Sequence, residues 1–140
     1  MRIGLIAAGI ILTLGFAGNS AELRAQGAGQ SVADTIVAVD PDKVRLEAAL
    51  DPAVIIIDVR MKMEYRSGHI EKAVHLPKKR NLMAFAAKTP LNRPIYVYCT
   101  TETRSRQAAK ILIETGFERV FIIEGGFNKW KRYGLPIEKR

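Results

Sequence analysis

The chain carries one cysteine, Cys99, and can therefore close no disulfide within itself. It has only two histidines, His69 and His75. That falls short of a zinc site, which takes about four protein ligands when structural and about three when catalytic, so no metal is expected. Each histidine reads as a structural residue. No phosphate-binding P-loop, dinucleotide fingerprint or internal repeat is present. Basic residues are scattered, with short clusters only at 78–80 (KKR) and 129–132 (KWKR). No nucleic-acid motif surrounds them, so nucleic acid is not an expected partner. Aromatic residues make up only 7% of the chain, and its one tryptophan, Trp130, reads as a packing anchor.

What is present suffices for one ordinary domain. The chain has 140 residues, 48% hydrophobic and 26% charged, with a net charge of +8. The excess of positive charge serves solubility or the attraction of small anions. Only one long apolar run occurs. After Arg2, the sixteen residues Ile3 to Gly18 are uncharged, and small polar residues follow. A short basic start, an apolar stretch and small residues describe an export signal, with Gly15-x-Ala17 or Gly18-x-Ser20 as cleavage positions. Residues 1–20 are thus expected to be a signal peptide, or else an uncleaved N-terminal anchor, for which the run is somewhat short. Either reading puts the domain outside the cytoplasm, in the periplasm if cleaved and on the membrane if not. In an exported chain a leftover thiol is buried and inert, paired with another molecule, or chemically used. Residues 21–33, rich in Gly, Ala and Gln, read as a flexible leader to a domain at 34–140.

From residue 34 onward, apolar runs alternate with helical segments. Strands are expected at 35–39, 54–59, 73–76, 95–98 and 120–123, and helices at 41–50, 61–67, 78–88 and 104–115, with a short last helix after Gly125-Gly126. In the first helix, Val44, Leu46, Ala48 and Leu50 are expected to share a face. The pattern predicts an α/β fold with a largely parallel sheet, in which ligands bind beyond the carboxyl ends of strands.

Cys99 sits at such an end, in the stretch YCTTETRSR (98–106). A thiol just ahead of a helix meets first-turn N–H groups without intrahelical partners and the positive end of the helix dipole, and both favour the thiolate. Arg104 and Arg106 add positive charge, and Thr100, Thr101 and Thr103 offer hydroxyls. The set makes a shallow anion cradle. The spacing Cys99-x4-Arg104 is one residue shorter than the C-x5-R loop of cysteine phosphatases and related arsenate reductases. A tighter loop suits a single sulfur atom better than a whole oxyanion.

These residues, together with IDVR (57–60), EY (64–65), GHI (68–70), AVHLP (73–77), GF (116–117) and EGGFNKW (124–130), resemble a single-domain rhodanese over about residues 34–140. The resemblance implies a rhodanese-like fold, a central parallel sheet of about five strands flanked by helices. It implies a sulfurtransferase with no metal or organic cofactor. Cys99 would attack the outer sulfur of thiosulfate or a persulfide, hold it as a persulfide, and yield it to cyanide or a thiol, which another protein could carry. The amides of residues 100–104 would cradle that sulfur, and Arg104 would close the loop. Asp58 and Arg60 match the family's D-x-R element and would support the loop, with Ser105 and Arg106 beside it and Glu64 as a further ionic partner near Asp58 and Arg60.

Two positions depart from the family pattern. Glu102 stands where glycine is common. If the position takes a positive φ, glutamate there costs about 1–2 kcal/mol. Its charge would also oppose a thiolate and anionic donors. Thr100 stands where a basic residue often helps to bind thiosulfate. Both weigh against thiosulfate and toward a neutral or larger persulfide donor. An alternative reading is a catalytically weak binding module of the same fold that recruits a partner protein.

Overall fold

The computed structural model describes residues 36–140. The expected signal or anchor, the leader, and Asp34 and Thr35 lie outside them. In chain order the elements are β1 (Ala38–Val39), α1 (Pro41–Leu50), β2 (Ile55–Asp58), α2 (Lys62–Ser67), β3 (His69–Ile70), β4 (Val74–His75), α3 (Lys79–Ala86), β5 (Ile95–Tyr98), α4 (Thr103–Glu114), β6 (Val120–Ile123), α5 (Gly126–Arg132) and β7 (Ile137–Glu138). Five strands form one parallel sheet in the order β1-β6-β5-β2-β4.

The central strands are apolar throughout because both faces are covered. Along β2, β5 and β6, alternate side chains enter two separate cores. Ile57, Val97 and Ile122 pack with Leu82 of α3 and Ala109 and Leu112 of α4. Ile56, Tyr96, Tyr98 and Ile123 pack with Val44 of α1 and Phe127 and Trp130 of α5. Each fully buried aliphatic side chain contributes about 2 kcal/mol. The result is three layers, helices on both faces of the sheet.

Helix α1 starts where expected. Asp40 Oδ1 accepts the Asp42 N–H at 3.0 Å, and Pro41 occupies the first turn. Its expected face is corrected. Val44 is fully buried, but Leu46 and Leu50 are exposed. Residues two apart on a helix lie about 200° apart, so Leu46 and Leu50 point away from the side that Val44 and Ala48 share. Two further strands, β3 and β7, form an antiparallel pair of their own, with His69 opposite Glu138 and Ile70 opposite Ile137. At two residues each they are too short to leave a periodic signal.

The sheet order positions the site. After β2 the chain moves to β4 on one side, and after β5 it moves to β6 on the other. The carboxyl ends of β2 and β5 therefore flank the switch point where open parallel sheets hold their ligands. Among the described residues, no helix is long and apolar enough to cross a membrane.

Candidate active site

The segment after β5, residues 99–102, turns at that switch point into α4. Cys99 is buried, and its Sγ lies 3.8 Å from the Oγ of Ser105, which is also buried. Ser105 Oγ donates to the Glu102 carbonyl at 2.8 Å and so pins the loop to the first turn of α4.

The loop carbonyls are drawn to one side. The Phe127 N–H donates to the Cys99 carbonyl at 2.8 Å, and the Asn128 N–H donates to the Thr100 carbonyl at 3.2 Å. Both donors come from the first turn of α5. This docking requires Gly126. Its φ is 55°, and a Cβ there would fall 2.1 Å from the Thr101 carbonyl oxygen and 2.6 Å from that of Cys99. In a trans peptide the N–H points opposite to the carbonyl, so the Thr100 and Thr101 amides face away from α5. No backbone N–H of residues 100–105 meets an acceptor among the described residues. Those orphan donors gather at the mouth of α4, where helix N-termini leave their first N–H groups unpaired.

Both flanking arginines are ion-paired. Arg104 grips Glu64 of α2 with two parallel bonds of 2.9 and 3.0 Å, and its Nη2 also donates to Thr100 Oγ1 at 2.8 Å. Thr100 in turn donates to Glu64 at 2.7 Å, and the Met61 N–H does so at 2.8 Å. The Arg104 guanidinium, helped by these donors against the cost of burial, holds the Glu64 carboxyl at about 2. Arg106 pairs with Glu102 at 2.8 Å, and Glu102 Oε1 accepts the Gly125 N–H at 2.9 Å. Burial alone would raise the Glu102 carboxyl, but Gly125 and Arg106 overcome it and hold it below the usual range.

Glu102 thus differs from expectation in two respects. Its φ is −141°, so the position does not use the left-handed region and carries no such strain. Its carboxylate is occupied by Arg106 and Gly125, tying the loop to the turn before α5. Glu64 also has a different partner from the one expected: it serves Arg104 and Thr100 rather than the D-x-R element. Thr101 and Thr103 are exposed, and their hydroxyls bond nothing among the described residues.

Asp58 and Arg60 form a buried pair, with Nη2 to Oδ2 at 2.6 Å. Arg60 also donates to the Gly68 carbonyl at 2.8 Å, and its guanidinium lies 3.9 Å from the centre of the Phe127 ring. The pair therefore braces the segment after β2 against α5, the same helix that holds the Cys99 loop. Burial, reinforced by the charge of Asp58, pushes the Tyr98 hydroxyl up, and that hydroxyl accepts the Ile70 N–H at 3.0 Å. His69 and His75 stack on opposite sides of Tyr65, with ring centres 3.8 and 4.4 Å apart. Each has a ring nitrogen bonded to a backbone carbonyl, Tyr65 for His69 and Arg60 for His75. Trp130 is buried, and its indole donates to the Pro136 carbonyl at 2.9 Å.

The Rhodanese-like domain family matches residues 23–133. Over 83 residues the chain is 36% identical to the thiosulfate sulfurtransferase GlpE of Actinobacillus pleuropneumoniae, covering 59% of this chain and 76% of that protein. Over 99 residues it is 31% identical to a sulfurtransferase of Allochromatium vinosum, covering 71% and 92% of the two chains. Among solved structures, the Alr3790 protein from Anabaena sp. superposes with a TM-score of 0.68 at 31% identity, over 73% of this chain and 82% of that one. The polysulfide-sulfur transferase of Wolinella succinogenes does so at 0.64 and 29%, over 75% and 80%. With the parallel sheet, the cysteine loop at its switch point and these matches together, the chain belongs to the rhodanese-like family, the family of the rhodanese-type sulfurtransferases.

Proposed function

We propose that this rhodanese-type sulfurtransferase carries sulfane sulfur as a persulfide on Cys99, with a persulfide or polysulfide rather than thiosulfate as its better donor. The Cys99 thiolate attacks the outer sulfur of the donor. A new S–S bond forms on Sγ, the donor's own S–S bond breaks, and the electron pair leaves with the donor remnant, a thiolate from a persulfide or sulfite from thiosulfate. An acceptor thiolate or cyanide then attacks the terminal sulfur and departs as a persulfide or thiocyanate. Cys99 returns as thiolate, and the two steps balance without an outside oxidant or reductant.

The observation that carries this reading is the set of backbone N–H groups at residues 100–105 without acceptors, beside the one cysteine. A persulfide anion accepts hydrogen bonds from such a cradle and is stabilised by the dipole of α4. The preference for persulfide rests on Arg104 and Arg106. Each is already neutralised by a carboxylate, so the loop offers a dianion little net positive charge beyond its amides. The proposal keeps the expectation that residues 1–20 export or anchor the protein, which puts its donors and acceptors outside the cytoplasm.

The test is intact mass of the protein before and after incubation with thiosulfate and, separately, with an alkyl persulfide, with Cys99→Ser alongside. Gain of one sulfur atom on the parent chain alone, released as thiocyanate by cyanide, is the expected result. A chain that takes up no sulfur from either donor is a binding module, and the proposal fails.

A further inference from the structure

A concave surface lies outside the cysteine loop. It is a groove of about 760 Å³ between α2, β4 and the C-terminal segment. Its floor is Tyr65, Ala73, Val74 and His75, and four cations stand around it: Lys62, Arg66, Lys72 and Arg140. Among the described residues, Lys62, Arg66 and Arg140 have no carboxylate partner, and Lys72 reaches only Glu71, at 4.0 Å. The one carboxylate in the lining, Glu138, is engaged elsewhere. Its Oε1 accepts the Lys72 N–H at 3.3 Å, and its Oε2 lies 3.4 Å from His69 Nε2. His69 Nε2 is itself buried without a hydrogen-bond partner among the described residues.

The groove runs along a free sheet edge. β4 is the terminal strand and pairs only with β2. The Leu76 N–H donates to the Asp58 carbonyl, so by the alternation of a parallel ladder Val74 and Leu76 turn their backbones to β2 and His75 turns its N–H and C=O outward.

We propose that this groove docks an acidic, extended segment of a partner protein. The carboxylates of such a segment would meet Lys62, Arg66, Lys72 and Arg140, and its backbone would pair with His75. A strand as short as β4 gives few ladder bonds, so the charge pairs supply most of the affinity. The groove is several times larger than one phosphate and matches the span of several side chains. A second copy of this chain, itself at +8, is repelled by the same four cations. The position also favours a partner over a passive solvated face. Lys62 and Arg66 lie on the side of α2 opposite Glu64, so one short helix separates the groove from the Arg104 clamp. Beyond His75 the chain leads to Lys78 and Lys79, which line a smaller cleft that includes Arg104. A segment lying along β4 thus leads toward Arg104. The proposal does not depend on the sulfur chemistry.

The experiment is an NMR titration of the full chain with a short peptide alternating Glu and Val, at low and high salt. Amide shifts are expected to gather in residues 62–76 and 137–140, and to vanish at high salt. Arg66→Glu with Lys72→Glu should raise Kd roughly tenfold or more, while Lys110→Glu on α4 should change it by less than about twofold. If the double variant does not fold, Lys72→Gln alone should still weaken binding. Shifts spread evenly over other basic surfaces overturn the proposal. So does an equal loss on Lys110→Glu, or displacement of the peptide by inorganic phosphate or a single-stranded oligonucleotide at comparable concentration.

Discussion

Glu64→Gln should turn the enzyme toward thiosulfate. In the parent chain, Glu64 satisfies four donors: Arg104 twice, Thr100 and Met61. With its carboxyl held at about 2, it is fully ionised at neutral pH and cancels the charge of Arg104 beside the cysteine. Glutamine keeps the shape and can still accept from Arg104, but frees one positive charge. Glu64 and Arg104 have side chains 34% and 40% exposed, so solvent screens the change and the surface-pair scale applies. That scale gives about 1 kcal/mol or less for one unit charge, and a dianion feels about twice what a monoanion does. The expected outcome is a gain of about fivefold in kcat/KM for thiosulfate relative to a monoanionic alkyl persulfide. The ratio is the proper readout, because any loosening of Arg104 slows both donors alike. The gain should shrink as ionic strength rises. A ratio that stays constant or moves toward the persulfide would refute the argument that carboxylate pairing sets donor preference.

Other expectations follow from the same geometry. Gly126→Ala drives a Cβ into the carbonyls of residues 99–101, so sulfur uptake at Cys99 should fall by at least about tenfold, with a loss of at least about 2 kcal/mol in a urea titration. Asp58→Ala leaves the Arg60 charge buried without its partner and should cost about 3–5 kcal/mol by the same assay, while Asp58→Ala with Arg60→Leu should recover part of that loss. The depressed Glu64 carboxyl contributes stability that is complete above its ordinary value of 4.5 and is lost as pH falls toward about 2. The parent should therefore lose more Tm than Glu64→Gln across that window, and a parallel decline of the two proteins would count against the ion pair.

The parallel sheet was legible because IIID and IYVY are buried on both faces, and an unbroken apolar run of that length between turn signals fits a strand covered from both sides. The cysteine loop was legible because strand end, cysteine and helix start are adjacent in sequence. What escaped was long-range or non-periodic. Glu64 lies 40 residues from Arg104, and nothing local says which arginine it will take. Glu102 was judged by the glycine that relatives commonly carry there, whereas its own backbone stays at negative φ and its carboxylate finds the Gly125 N–H, 23 residues away. Gly125-Gly126 read as a turn, but Gly126 also answers to the close approach of the Cys99 loop, a constraint from a neighbouring segment added to that of its own φ of 55°.

The docking of α5 on that loop also sets an order of events. Cys99 is synthesised well before Phe127 and Asn128, the residues whose amides hold the Cys99 and Thr100 carbonyls. A nascent or truncated chain ending before Gly125 carries the thiol without the helix that holds these carbonyls. Domains generally fold as units, so the Cys99 loop takes its final shape only once α5 has been made and docked. The shape of the Cys99 loop is thus contingent on a helix that enters the fold after it.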